Sequence, residues 1–284
     1  TFSQTDVVVR GETPLSDTLA VGATVAAFQR EGFGENIITG RENYNKDVVA
    51  IRGSAEWTPA SNFFLRFAAD YTDNDSNPKA GHREIPGLLS GAPVLDDVFN
   101  NRAGIQGDNE VEQYGASLRW EWDLDSRFRL KSITAYREDD TVQFIDFEAL
   151  PAEDVDVPVI YENEQFSQEL QLQYSGDGVD GLLGFYYLDA DASNVFDVIL
   201  KPTGELLDLP GLNAFSLADV ETESWAVFGD LTFALDEFFG LSQGLELSLG
   251  GRFTSDERSA RILRQTLIGG NSSFFGGDAT PVAT

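Results

Sequence analysis

The sequence predicts an all-β protein, an antiparallel up-and-down transmembrane β-barrel. Three observations carry that expectation: connections that alternate short and long, aromatic residues paired at a fixed spacing, and charges confined to one face of each strand. Period-2 alternation bounded by turn residues marks strands near 5–11, 17–30, 46–58, 62–74, 110–124, 127–140, 161–175, 181–193, 221–236 and 244–258. Few segments invite a helix. The connections run in order through ETPLS, Glu31–Asn45, Pro59–Ser61, Asp75–Asn109, Asp125–Ser126, Thr141–Ile160, GDGVD, Asn194–Val220 and Glu237–Gln243, short and long by turns. In an antiparallel meander alternate connections lie at opposite ends of the strands, so one end carries tight turns and the other large loops. Greek-key sandwiches mix the two ends and give no such sorting.

Five strands carry two aromatics eight residues apart: Phe63 and Tyr71, Tyr114 and Trp122, Phe128 and Tyr136, Phe166 and Tyr174, Trp225 and Phe233. An even spacing puts both members on one face, and eight residues tilted near 45° climb roughly 19 Å, close to the separation of the two aromatic girdles of a membrane barrel. On that face the intervening positions are Leu65, Phe67 and Ala69; Ala116, Leu118 and Trp120; Leu130, Ser132 and Thr134; Gln168, Leu170 and Leu172; and Val227, Gly229 and Leu231, none of them charged. The opposite face of the same strands holds Arg66, Asp70, Arg119, Glu121, Arg129, Lys131, Glu169 and Asp230, and other strands add Arg52, Glu56, Glu246 and Arg252. A charge facing mid-bilayer costs roughly 2–4 kcal/mol, so this segregation is what a lipid-facing surface requires. A soluble sandwich would segregate charge as well, but aromatics at both ends of its strands would be accidental.

Composition narrows the function. There are 48 acidic and 19 basic residues and a formal charge of −29, which repels the phosphates of nucleic acid and sets that partner class aside. The chain has no cysteine, so disulfides, thiolate metal sites and cysteine nucleophiles are impossible. A serine triad would have to be built on the only histidine, His82, and no G-x-S-x-G motif accompanies it. The glycine clusters GDGVDG and GLLSG lack phosphate-loop spacing and read as turns. No enzymatic activity, cofactor or metal is therefore expected. The chain opens on TFSQTDVVVRG with neither a basic nor an apolar leader and contains no methionine, as a mature product or a piece of something longer would.

The run DVVAIRGSAEWTPASNFFLRFAADYTDNDSNPKAGHREIPGLLSGAPVLDDVF, the segment NEQFSQELQLQYSGDGVDGLLGFYYLDADAS, and SWAVFGDLTF followed by LSLGGRFTSDER resemble the barrel domain of TonB-dependent outer-membrane receptors. FSQEL followed by a GFYY strand, and GGRFTSDER entering a large loop, are the more diagnostic parts. The resemblance implies about 22 strands enclosing an N-terminal plug, with short periplasmic turns and long extracellular loops. It also implies the outer membrane of a Gram-negative bacterium, contact with lipid, lipopolysaccharide and the TonB complex, and a small-molecule ligand. The sequence departs from that plan in showing no plug, no TonB-contacting segment and no closing strand with a terminal aromatic. Residues 1–284 therefore read as about ten strands of a larger barrel, roughly its first half.

On this reading Arg52, Arg66, Arg119, Arg129 and Arg252 line the lumen path, while His82 and Arg83 face incoming ligand. The cargo implied by the family is a scarce solute, foremost a ferric siderophore, with vitamins and oligosaccharides as further candidates. A passive porin and a soluble acidic carbohydrate-binding β-protein are the alternatives. Within YTDNDSNPKAGHR, Asp73, Asp75 and Asn77 fill the first three slots of a calcium loop and Glu84 its twelfth, but Pro78 occupies the position of the sharp-turning glycine, so an exit into a hydrated outer loop is expected instead. The acidic loop IDFEALPAEDVDVP holds five carboxylates and no base; simple solvation, attraction of cations and divalent bridging to lipopolysaccharide all suit it.

Overall fold

The chain forms one antiparallel meander in a computed structural model that describes residues 3–79, 81–87, 90–105, 107–152, 155–235 and 244–282. Its strands are β1 (Thr5–Ser16), β2 (Leu19–Arg30), β3 (Gly34–Asn36), β4 (Arg41–Asn43), β5 (Lys46–Ala60), β6 (Phe63–Asn74), β7 (Glu110–Asp123), β8 (Phe128–Asp146), β9 (Asp156–Gly176), β10 (Val179–Ile199), β11 (Asn213–Ala234), β12 (Glu246–Ile268) and β13 (Thr280–Pro281). A short helix α1 (Lys201–Leu206) interrupts one loop. The main sheet runs β1-β2-β5-β6-β7-β8-β9-β10-β11-β12-β13, so strands adjacent in space are adjacent in sequence once the β3–β4 hairpin is set aside. No helix among the described residues is long and apolar enough to cross a membrane.

Every expected strand is present, with informative differences at the ends. ETPLS is not a turn: β1 continues through it to Ser16, with an irregularity between Pro14 and Ser16, and the chain reverses at residues 17–18. A proline is accommodated there beside the irregularity, where ladder pairing is already interrupted. At the opposite end β8 through β12 run well past their expected limits, to Asp146, Asp156, Ile199, Asn213 and Ile268. Those extensions mix polar and apolar residues on both faces, as in TVQFID and NVFDVI, so they carry no clean alternation to read, yet backbone pairing continues. The last short connection, Glu237–Gln243, lies outside the described residues.

The tight turns have local causes. In GDGVD, Asp177 and Gly178 take φ of 52° and 74°, the paired left-handed conformation of a two-residue hairpin turn. At the next such turn Asp125 Oδ1 accepts the backbone N–H groups of Arg127 and Phe128 at 2.8 and 2.9 Å. These two bonds hold the Asp125 carboxyl below its ordinary pKa.

Register converts the aromatic spacing into rows. Near the tight turns Phe63 faces Trp122 and Phe128 faces Tyr174; near the long loops Tyr71 faces Tyr114, Tyr136 faces Phe166 and Tyr187 faces Trp225. Between the rows Phe67, Leu118, Leu170, Leu183 and Leu231 all stand exposed, Leu118 at 37 % and Leu183 at 58 %. Among the described residues substantial contacts join only neighbouring strands and no second sheet covers this band, which is where the sandwich alternative fails. The one apolar core cluster among the described residues lies instead beyond the upper row. There Val195, Phe215 and Leu267 pack with Phe275 and Ala279 of the segment after β12. Asp197 anchors that segment, accepting from Asn213 Nδ2 at 2.8 Å and from the Ser272 N–H at 2.7 Å.

Candidate functional site

The face opposite the aromatic band is a ladder of ions. Ladder pairing sets Arg66 directly against Arg119, a repulsive arrangement, and each arginine turns to its own glutamate: Arg66 to Glu56 at 3.5 Å, Arg119 to Glu121. Arg129 closes the chain of charges, 3.7 Å from Glu121 and 2.5 Å from Asp123. Arg119 also stands 5.9 Å from the Phe64 ring centroid, and Arg252 stands 5.3 Å from that of Phe228 and 6.0 Å from that of Tyr186. Arg52 is exposed on the same face, in a groove it shares with Arg10, Glu12, Glu56 and Arg66. The five arginines thus share one surface, as parity indicates.

Sequence reasoning missed Arg137, which reaches across β7 to Asp70 at 2.9 Å. Gly115 makes that possible, since a Cβ there would lie 3.1 Å from the Tyr136 carbonyl and 3.2 Å from the Arg137 guanidinium. The available signal was a glycine on the lumen parity of β7, directly opposite Arg137 in the register.

The long loops fold together at the upper end. Arg41 of β4 is their hub: its Nη2 donates to Asn77 Oδ1 at 2.8 Å and to Asp108 at 3.1 Å, its Nε to Asn77 Oδ1 at 3.2 Å, and its Nη1 to the Gly107 carbonyl. Asn77 is thereby committed to loop structure and does not stand ready beside Asp73 and Asp75 as a third cation ligand. Asp75 itself is pushed above its usual pKa by burial and by the nearby charges of Asp73, Asp47, Asp108 and Glu112. Arg83 donates from Nη1 to the Glu148 carbonyl at 2.8 Å and from Nε to the Ile85 carbonyl at 3.2 Å, tying the 75–109 loop to the acidic loop. His82 beside it is half-buried.

Three of the acidic loop's five carboxylates, Asp146, Glu148 and Asp156, are drawn into structure; Glu153 and Asp154 lie outside the described residues. Carboxylate oxygens of Asp146, Glu148 and Asp156 lie within 4.8 Å of one another, with Asp156 fully buried. Asp146 accepts backbone N–H groups from Gly104 at 2.9 Å and from Ala149, and Glu148 Oε2 accepts the Val155 N–H at 3.0 Å. Burial raises the Asp146 pKa, against the opposing pull of those N–H groups and of a side-chain hydrogen bond with Asp156.

Between these loops and the inner surface of β6, β7 and β8 lies a cavity of about 400 Å³. Amides dominate its lining, among them Asn36, Asn43, Asn74, Asn101 and Asn109, joined by Arg41, Lys79 and Asp146. Outside, on the aromatic parity just beyond the upper row, carboxylates oppose carboxylates strand after strand: Glu112 faces Asp140, Asp140 faces Glu162, Glu138 faces Glu164, Glu164 faces Asp191, and Asp191 faces Glu221. Tyr71 and Tyr136 of the upper row donate to Glu112 and Glu138, which ties girdle to belt.

An uncovered aromatic-bounded band outside and an ion-paired surface inside define the wall of a transmembrane β-barrel. Residues 43–282 match the family model described as TonB dependent receptor-like, beta-barrel, and the chain belongs to that family of Gram-negative outer-membrane proteins. The fold is similar to the ferric yersiniabactin uptake receptor FyuA from Yersinia pestis, at 15 % identity, a TM-score of 0.66 and coverage of 93 % of this chain and 42 % of that one. It is also similar to the ferripyoverdine receptor of the outer membrane of Pseudomonas aeruginosa (14 %, 0.61, 94 % and 38 %) and the siderophore receptor PiuA from Acinetobacter baumannii (12 %, 0.54, 94 % and 45 %). The chain spans less than half the length of each of these receptors. No curated protein matches the sequence.

Proposed function

We propose that the full-length protein is an import receptor that captures a scarce solute at its outer loops, foremost a ferric siderophore, and passes it through the lumen. Energy would come through TonB, with a plug domain of the same polypeptide filling the barrel and residues 1–284 forming part of its wall. The observation that carries the reading is the ion-paired inner surface in a chain of the receptor family. Similarity to receptors for ferric yersiniabactin and ferripyoverdine supports the choice of cargo. Arg52, Arg66, Arg119, Arg129 and Arg252 line the path in this proposal, and His82 and Arg83 shape the entrance. No catalytic step is part of it. Family membership disfavours the soluble carbohydrate-binding alternative and ranks a receptor above a passive porin.

Growth on a chelated iron source with and without the full-length gene tests the proposal. A deletion that grows undiminished removes the iron reading. The outward carboxylate belt supports lipopolysaccharide as a further partner, reached through divalent cations, because opposed carboxylates in a headgroup layer need counter-charge. A chelator should then lower the melting temperature of the full-length protein in lipopolysaccharide-containing bilayers. An unchanged melt would exclude that contact.

A further inference from the structure

We propose that the loop-lined cavity recognises a neutral, oxygen-rich moiety, one bearing several hydroxyl or carbonyl oxygens and no net charge. This inference rests on the receptor reading, which places that end of the barrel outside the cell.

Asn74 Oδ1 accepts the Ser76 N–H at 3.1 Å, Asn101 Oδ1 accepts the Ala103 N–H at 3.2 Å, and Asn109 Oδ1 accepts the Phe144 N–H at 3.0 Å. A backbone N–H can only donate, so these bonds fix which end of each amide is oxygen and leave the nitrogens as donors with no acceptor among the described residues. Asn43 differs: it lines the cavity but is 5 % exposed, and its Nδ2 is sealed off from the cavity, so no ligand oxygen reaches it.

Charge and shape narrow the class. Arg41 is already engaged by Asn77, Gly107 and Asp108, and Lys79 shares the lining with Asp146, so the cavity offers little net attraction to an anion. Among the described residues of the lining the only aromatic ring is Phe144, and it is covered by Gly107, whose Cβ would fall 2.3 Å from it, so that ring presents no open plate for stacking. A volume of about 400 Å³ falls within the range of small-molecule sites, roughly 300–1,000 Å³. The chemistry could come from a free saccharide or from the organic shell of a neutral ferric chelate.

The test is calorimetric titration of the full-length receptor in detergent with two sets of probes: maltose, cellobiose and chitobiose in one arm, ferrichrome in the other. Asn74→Asp and Asn109→Asp keep the oxygen that holds each loop and delete the donor, while Asn43→Leu removes a nitrogen sealed from the cavity and serves as the control. Binding in one arm, weakened about tenfold by Asn74→Asp and by Asn109→Asp and unchanged by Asn43→Leu, is the expected result. The responding arm identifies the source. Absence of binding in both arms, binding that Asn74→Asp and Asn109→Asp leave unchanged, or binding that Asn43→Leu weakens as much as they do, overturns the inference. A receptor that still supports growth on chelated iron despite such a result leaves the receptor reading standing.

Discussion

Asp146 shows how one side chain can couple the outer loops to pH. Its pKa is raised by burial, so the neutral form is favoured in the folded loop relative to the unfolded chain. The stabilising contribution is therefore complete below the unfolded carboxyl pKa and is lost as pH rises through the higher folded value. Hydrogen exchange over residues 146–156 should slow as pH falls from neutral toward the acid range, after correction for intrinsic rates, and Asp146→Asn should remove the dependence. Asp125 at the opposite end has a lowered pKa and the opposite sign: its turn should loosen as pH falls through the folded value. A second prediction concerns space. Gly184 lies beneath Phe228, and a Cβ there would fall 2.2 Å from the ring. Gly184→Val should displace Phe228 and with it the Arg252 contact, costing about 1–3 kcal/mol in equilibrium refolding of the full-length protein. A stability equal to wild type would mean that Phe228 swings freely into the lumen.

At the scale of the strand, parity decides what a substitution costs. Leu118 and Ser117 are sequence neighbours on opposite faces of β7, Leu118 against Phe67 and Thr134 and Ser117 against Ala68 and Ala135. Leu118→Arg should cost roughly 2–4 kcal/mol in bilayer refolding, whereas Ser117→Arg, which adds to the ion ladder, should cost well under half as much. Equal penalties would place hydrocarbon on neither face. A spin label at Leu118 or Leu170 should likewise be relaxed by oxygen dissolved in lipid. Strand positions and faces were legible in the sequence because a period-2 signal persists wherever one side meets lipid, as in Leu65–Phe67–Ala69. It fades in β8 to β12 beyond the upper row, where Glu138, Asp140, Glu162 and Glu164 stand on the outward parity and apolar residues such as Phe215 share it with them. Loop architecture was least legible. Arg41, Asn77 and Asp108 meet through chain segments that share no periodicity, and the convergence of Asp146, Glu148 and Asp156 depends on how one loop turns back on itself. The family resemblance reached the fold, but it could not reach these contacts, which belong to this chain's own loops.

For the molecule as a whole, the sheet has two open edges. Among the described residues β1 pairs only with β2, and β12 meets β13 only at Leu267 and Ile268, leaving the N–H and C=O rows of Thr5–Ser16 and most of Glu246–Ile268 unpaired there on their outer sides. In hydrocarbon each unmet backbone group costs several kcal/mol, so a membrane sheet must close. Closure by this chain alone would join β1 to β12 around a narrow lumen that already holds Arg66, Arg119, Arg129, Arg137 and Arg252 with their partners, together with Phe64, Tyr186 and Phe228. Those bulky side chains suit the wall of a wide barrel, where the remaining circumference comes from strands outside this chain. Residues 1–284 refolded in detergent should therefore associate edge to edge, running as dimers and larger species by light scattering, while the full-length receptor runs as a monomeric barrel. A proline introduced at Val8, on the free edge strand, should reduce that association, and because another strand pairs with β1 in the complete barrel it should also impair folding of the full-length protein; normal insertion of full-length Val8→Pro would show that β1 stays an edge there. A monomeric, heat-modifiable species formed by residues 1–284 alone would instead establish self-closure and would require the lumen arginines to repack.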